Sequence, residues 1–163
     1  MNAHSTDKKT FQLTENGQRL GEISYENLFF LKAEINLVNT EKYKVAPVGF
    51  FGTSISVTQN ETPIASLSLS WNGKIIITFQ DGQEFVLKLN DIFSDKYTIE
   101  NKDKEKLIEI KSKFNWRAFQ YTHDISYNVE YQNKPEEMLL VMLGIYSVNY
   151  FIATMSGANA GIM

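Results

Sequence analysis

Histidine occurs only at His4 and His123, and the second stands beside an aspartate in Tyr121-Thr122-His123-Asp124. A neighbouring His and Asp could form part of a general base, but no nucleophile is identifiable beside them. The plainer expectation is a turn histidine next to a turn aspartate. Cysteine is absent, which removes thiolate nucleophiles, disulfides and palmitoyl anchors. Two histidines without cysteine make a transition-metal site unexpected. Gly49, Gly52 and Gly73 have neither the P-loop nor the dinucleotide-binding spacing. The residues therefore predict no catalytic site, no cofactor and no metal, and an enzyme is not expected.

The remaining chemistry is electrostatic. Lys102, Lys104, Lys106, Lys111, Lys113 and Arg117 outnumber Asp103, Glu105 and Glu109 in one stretch of a chain whose net charge is −3. If Ile108, Ile110, Phe114 and Trp116 face a core, then Lys111, Lys113 and Arg117 face outward. With Lys104 and Lys106 they form a candidate site for an anionic membrane surface or a phosphoinositide-like headgroup. Each basic residue near an acidic membrane is worth about 1 kcal/mol. The plainer reading is a wet hairpin whose lysines keep an edge strand from pairing with other chains, and the interleaved acids favour it. Near-neutral charge gives no reason to expect nucleic acid. Phe29-Phe30 and Phe50-Phe51 would each place one ring on either face of a strand, either as a partner surface or as sheet contacts.

Short strands must position these groups. From Ile64, the residues Ala65, Leu67, Leu69 and Trp71 alternate with Ser66, Ser68 and Ser70, which is the period of a half-buried strand. Asn72-Gly73 then supplies positive φ for a tight hairpin turn, and Ile75, Ile77 and Phe79 line the return strand. Asp81-Gly82 turns the chain again into Phe85, Leu87 and Leu89. Similar alternation marks Ala33-Ile35-Leu37, Ile55-Val57, Ile108-Ile110 and Ile125-Tyr127-Val129-Tyr131. About twelve strands result, at the spacing of an all-β barrel or sandwich. Residues 1–10 are polar, contain no signal-peptide core, and read as a disordered leader. With no cysteine, the expected address is cytoplasmic, with a peripheral membrane location if the basic residues bind lipid.

Pro135-Glu136-Glu137 opens a different pattern. Proline and acids suit the first turn of a helix, and residues 138–163 carry no charge. Residues 138–155 would span roughly 27 Å at about 1.5 Å per residue, the lower edge of what crosses a bilayer. Ser147, Asn149 and Thr154 within the span, and Glu136 and Glu137 beside it, argue against a tail anchor. A helix enclosed by protein must also be apolar all round. The expectation is a closed barrel of about twelve strands around this helix, with Met138, Met142 and Met155 as adaptable fill. Tyr146 and Tyr150 would each need a hydrogen-bond partner from the wall. Residues 156–163 read as a small-residue tail that does not continue the helix. A ligand-carrying barrel of the lipocalin kind is disfavoured, because the helix would fill its cavity.

This arrangement resembles the tubby C-terminal domain superfamily, which includes LURP-one-related proteins and phospholipid scramblases. The residues carrying the likeness are Trp71-Asn72-Gly73-Lys74, Asp81-Gly82, the strand end at 97–101 and the segment 139–150, within residues 11–155 as one domain. The resemblance implies the fold and a membrane-adjacent, non-catalytic role. Tubby domains bind phosphoinositides through basic residues of the barrel wall, but no residue here is matched to those positions. The scramblases' cysteines and acidic calcium segment have no counterpart. The expected function is thus a non-catalytic binding or scaffold module for anionic lipid. The alternatives are a soluble domain that binds an unidentified protein, or a tail-anchored membrane protein.

Overall fold

Each run of alternating apolar and polar residues folds as a strand antiparallel to its neighbours. The computed structural model describes residues 1–27, 31–39, 41–49, 54–70, 72–91, 94–127 and 135–160. The first strands are β1 (Asn2–Asp7), β2 (Thr10–Glu15), β3 (Gln18–Tyr25), β4 (Ala33–Leu37), β5 (Lys42–Val48) and β6 (Ser54–Gln59). They are followed by β7 (Thr62–Leu69), β8 (Ile75–Phe79), β9 (Glu84–Asp91), β10 (Lys96–Glu100), β11 (Lys106–Asn115) and β12 (Gln120–Tyr127). One helix, α1 (Pro135–Ala160), completes the fold. Every strand pairs with the next in sequence, and β1 pairs with β12, so the twelve strands close into a barrel.

The seam corrects the reading of residues 1–10 as a disordered leader. Asn2, Ala3 and His4 lie opposite Asp124, His123 and Thr122. The Ile125 amide donates to the Met1 carbonyl at 3.0 Å, and Asn2 Nδ2 donates to Asp124 at 2.8 Å. Ala3 is the only core residue that β1 supplies, which is why its pattern is nearly silent in the sequence. Closure also means that β11 is no edge strand, so its lysines do not guard one.

Inside, Leu13, Ile23, Ile35, Val57, Leu67, Ile77, Leu87, Ile99 and Ile110 point from the wall at α1. With about 4.8 Å between strands and a tilt near 40°, twelve strands give a backbone diameter of roughly 24 Å. A helix of about 10–12 Å leaves roughly 6 Å on each side, one layer of Ile and Leu. Every residue from Leu139 to Asn149 is buried, so the apolar surface that might have met lipid meets the wall. Met142 is fully buried, and Met138 packs at the margin of the core. Met155, expected as fill, is instead 42% exposed beyond the wall. The helix also runs past residue 155 to Ala160, its backbone ladder carrying it through Gly157 at a cost of about 1 kcal/mol.

Gly73 and Gly82 have φ of 78° and 86°. The Ser70 amide donates to Lys74 O and the Phe79 amide to Gln83 O. Both turns are therefore one residue longer than the two-residue hairpin expected at Asn72-Gly73. Trp71, Phe29, Phe30, Phe50, Phe51, Val129 and Tyr131, named above, lie outside the described residues.

The helix packs tightly against the wall at Gly144. A Cβ there would stand 2.7 Å from Ile99 Cδ1 and 3.0 Å from Ile110 Cδ1. Gly144→Ala should therefore lower the unfolding free energy by about 1–2 kcal/mol, despite alanine's better helix propensity. Ile99→Val removes the nearest methyl, and a urea double-mutant cycle should give a favourable coupling of about 1 kcal/mol. Strictly additive losses would mean that the helix does not touch the wall there. Deleting residues 1–9 should bare the edges of β2 and β12 and produce aggregates on size-exclusion chromatography. A truncated chain that stays monodisperse and unfolds cooperatively would restore the view of a dispensable leader.

Candidate functional site

Connections at the two ends of the barrel differ in chemistry. Five of them, residues 16–17, 38–41, 60–61, 80–83 and 101–105, share one end, and Val38 is their one apolar residue. The connections that leave β1, β3, β5, β7, β9 and β11 fall at the other end. Their described residues include Leu31, Trp116 and Phe119. The described aromatics, Trp116 and Phe119, are 76% and 78% exposed.

The five basic residues singled out in the sequence do not form one patch. Lys104 lies in the turn between β10 and β11, and Lys106 begins β11. Arg117 follows the far end of that ten-residue strand, about 33 Å away at about 3.3 Å per residue. Between them, Lys111 and Lys113 do face outward, but among compensating charges. Lys113 Nζ is 2.5 Å from Asp124 Oδ2, and that hydrogen bond holds the Asp124 carboxyl below its usual range. Lys111 is in register with Asp124 on β12 and with Lys96 on β10, and Lys96 pairs with Glu109 at 3.2 Å. Such exposed pairs add little stability. Arg117 makes no ion pair among the described residues.

Trp116 was expected to face the core. Strand alternation stops at Asn115, whose Oδ1 accepts the Arg117 and Ala118 amides at 3.0 and 3.2 Å. That cap bends the chain outward and puts Trp116 at the tip. Phe119 takes a left-handed backbone, with φ of 53°, a conformation unfavourable for a bulky side chain. Phe114 anchors the turn, its ring edge-on to Trp116 at 4.8 Å and tilted against Tyr121 at 4.8 Å.

Below this turn, where α1 leaves the barrel, is a cleft of about 620 Å³. Phe11, Leu31, Phe114, Phe119 and Tyr121 form its wall on the strand side, and Asn149, Tyr150, Ile152, Ala153 and Thr154 form the helix side. Ser5, Lys8 and Gln120 lie at its edge. The expected partner of Tyr146 proves to be the Leu31 carbonyl, which accepts its hydroxyl at 2.6 Å.

A buried polar chain runs behind the cleft. The Ser112 hydroxyl is 2.8 Å from His123 Nδ1, and His123 Nε2 is 2.9 Å from Asn149 Oδ1. Asn149 Nδ2 donates to the Tyr25 hydroxyl at 3.0 Å, which leaves its Oδ1 to accept a hydrogen bond from Nε2–H. His123 is then the neutral tautomer protonated at Nε2, accepting from Ser112 at Nδ1. Phe11 stacks on the imidazole at 5.5 Å. The chain ties three wall strands to the helix. His123 is thus no turn residue. It points inward from the middle of β12 with no exposed surface, while Asp124 points outward, so the two do not form a dyad. The period-two series His123, Ile125, Tyr127 held that signal. Ser112 and His123 have the spacing of a nucleophile and its base, but Ser112 is 4% exposed and does not line the cleft. Among the described residues, no three carboxylate or imidazole groups cluster as metal ligands.

Comparison of the chain with protein-family models, with curated proteins and with solved structures gives no match.

Burial pushes the His123 imidazole down to about 4 from 6.5, against the opposing pull of Asn149 and Asp124. Between those two values the unfolded chain binds a proton that the folded protein refuses. Stability should therefore fall as pH drops through this window, by about 3 kcal/mol at about 1.4 kcal/mol per pH unit. Urea unfolding at stepped pH should show that loss, and His123→Gln should flatten it. An equal slope in the variant would place the acid sensitivity elsewhere.

Proposed function

We propose that the protein is a non-catalytic, tubby-like module that docks on anionic membrane surfaces through the aromatic end of its barrel. The observation that carries the reading is the turn after β11, where exposed Trp116 and Phe119 flank Arg117, which makes no ion pair among the described residues. Aromatic rings at that depth exchange water for the headgroup region, where Trp is favoured, and a basic residue beside them adds about 1 kcal/mol at an acidic surface. Of the basic residues considered from sequence, Arg117 carries this role, with Lys113 and Lys111 farther along the wall. Lys104 and Lys106, at the polar end, take no part. The tubby-like assignment draws support from twelve strands closed around one apolar helix. A cytoplasmic address fits a chain without cysteine. A soluble protein-interaction domain is the second reading, favoured by the same exposed rings, because such patches also bind proteins. The tail-anchored alternative is disfavoured because the apolar stretch of α1 is enclosed by the wall.

Flotation of the purified chain with phosphatidylglycerol vesicles, at low and moderate salt, tests the reading. The wild type should float, less so at moderate salt. Trp116→Ala with Phe119→Ala should reduce binding about tenfold or more, Arg117→Gln should reduce it several-fold, and Lys104→Gln with Lys106→Gln should not change it. Failure of the wild type to float would sink the membrane reading and leave the aromatic turn as a protein contact. Equal loss from the lysine pair would relocate the surface.

A further inference from the structure

We infer that the cleft at the exit of α1 binds one anionic single-chain amphiphile, a long-chain carboxylate, independently of whether the barrel docks on a membrane. Its volume, about 620 Å³, is within the roughly 300–1,000 Å³ of small-molecule sites. Its lining decides what kind of molecule fits. Asn149, the most deeply set polar residue of the cleft, spends its amide on His123 and Tyr25. The Thr154 hydroxyl bonds the Tyr150 carbonyl. Among the described residues no buried side-chain nitrogen or oxygen lacks a partner. The polar groups left to a ligand are Gln120 and the Tyr121 and Tyr150 hydroxyls, too few to pair the many donors and acceptors of a sugar or nucleobase. A hydrocarbon would find Phe11, Phe114, Tyr121, Ile152 and Ala153, and would gain about 25 cal/mol for each Å² it removes from water.

Charge at the edge supplies the other half of the ligand. Lys8 borders the cleft and makes no ion pair among the described residues. Arg117 precedes Phe119 by two positions in the adjoining turn and likewise makes no ion pair among them. Burial of α1 from Leu139 to Asn149 closes the route into the barrel, so the tail must lie across the mouth with its carboxylate outward at Lys8. The helix that excludes a ligand from the interior thus forms one side of a separate site at the rim.

Fluorescent polyunsaturated fatty acid, titrated as monomer without vesicles, tests this directly. One molecule should bind per chain and be displaced by oleate. Ala153→Trp, which fills the cleft while leaving Trp116 and Phe119 untouched, should abolish binding. Lys8→Glu should weaken it about tenfold. A diazirine-bearing fatty acid should crosslink the unaltered chain at residues 114–121 and 150–154, which tests the site without any substitution. The inference is overturned by absent or non-saturable binding, by binding that survives Ala153→Trp in a folded variant, or by crosslinks elsewhere. It is overturned equally if binding appears only after residues 156–163 are removed. Vesicle flotation reports separately: fatty-acid binding with no flotation would keep the cleft and remove the membrane reading, and the reverse result would do the opposite.

Discussion

A wall of twelve strands encloses more space than its own side chains can fill, and α1 exists to fill it. Most other features follow from that geometric demand. The helix carries no charge between residues 139 and 149 because that enclosed part meets water on no face. Gly144 replaces a side chain where the helix packs tightly against Ile99 and Ile110, and Gly21 does the same for the wall against Met142. Leu and Ile dominate the facing layer because branched aliphatics fill a narrow annulus in few rotamers.

The polar groups inside this annulus serve position. Apolar packing alone would resist sliding of the helix only weakly, since one Leu-sized contact is much like the next. Asn149, held on one side by His123 and on the other by Tyr25, sets a single axial position and rotation. Tyr146 repeats the tie one turn earlier through the Leu31 carbonyl. A buried polar contact specifies where the helix stops, because any other register would strand those groups in a medium that cannot satisfy them. The stopping point in turn sets how much helix projects past the wall, and so creates the cleft beside Tyr150 and Ile152.

The strands around Ile64–Phe85 were legible because period two with X-Gly turns depends on close neighbours in sequence. The enclosed helix was legible too, since uniform apolarity with acidic flanks excludes most other homes. What was hidden depends on distant partners. Residues 2–7 offer one small apolar residue, Ala3, and acquire strand structure only from β2 and β12. His123 looked like a turn residue because Thr122 and Asp124 flank it, yet those are simply its outward neighbours. Trp116 looked like core because it continues the alternation of Ile108, Ile110 and Phe114, whereas the Asn115 cap decides its direction. Lys104 and Arg117 seemed close because thirteen positions is short in sequence, but a strand is the most extended way to spend them. The cleft needs the end point of α1, which no local pattern states.

The order of elements along the chain carries a consequence for synthesis. All twelve strands leave the ribosome before the segment that fills them, and the seam joins the first of them to the last. At about 5–20 residues per second, the apolar inner wall has no core for several seconds. Folding cannot then proceed by vectorial accretion from the first strand onward. The nascent wall must stay open, with its Ile and Leu faces screened by transient pairing or by a holdase, until α1 arrives. Assembly of the barrel and capture of its helix become one late event, and a ribosome that stalls within residues 128–150 would release a chain with every strand present and no interior.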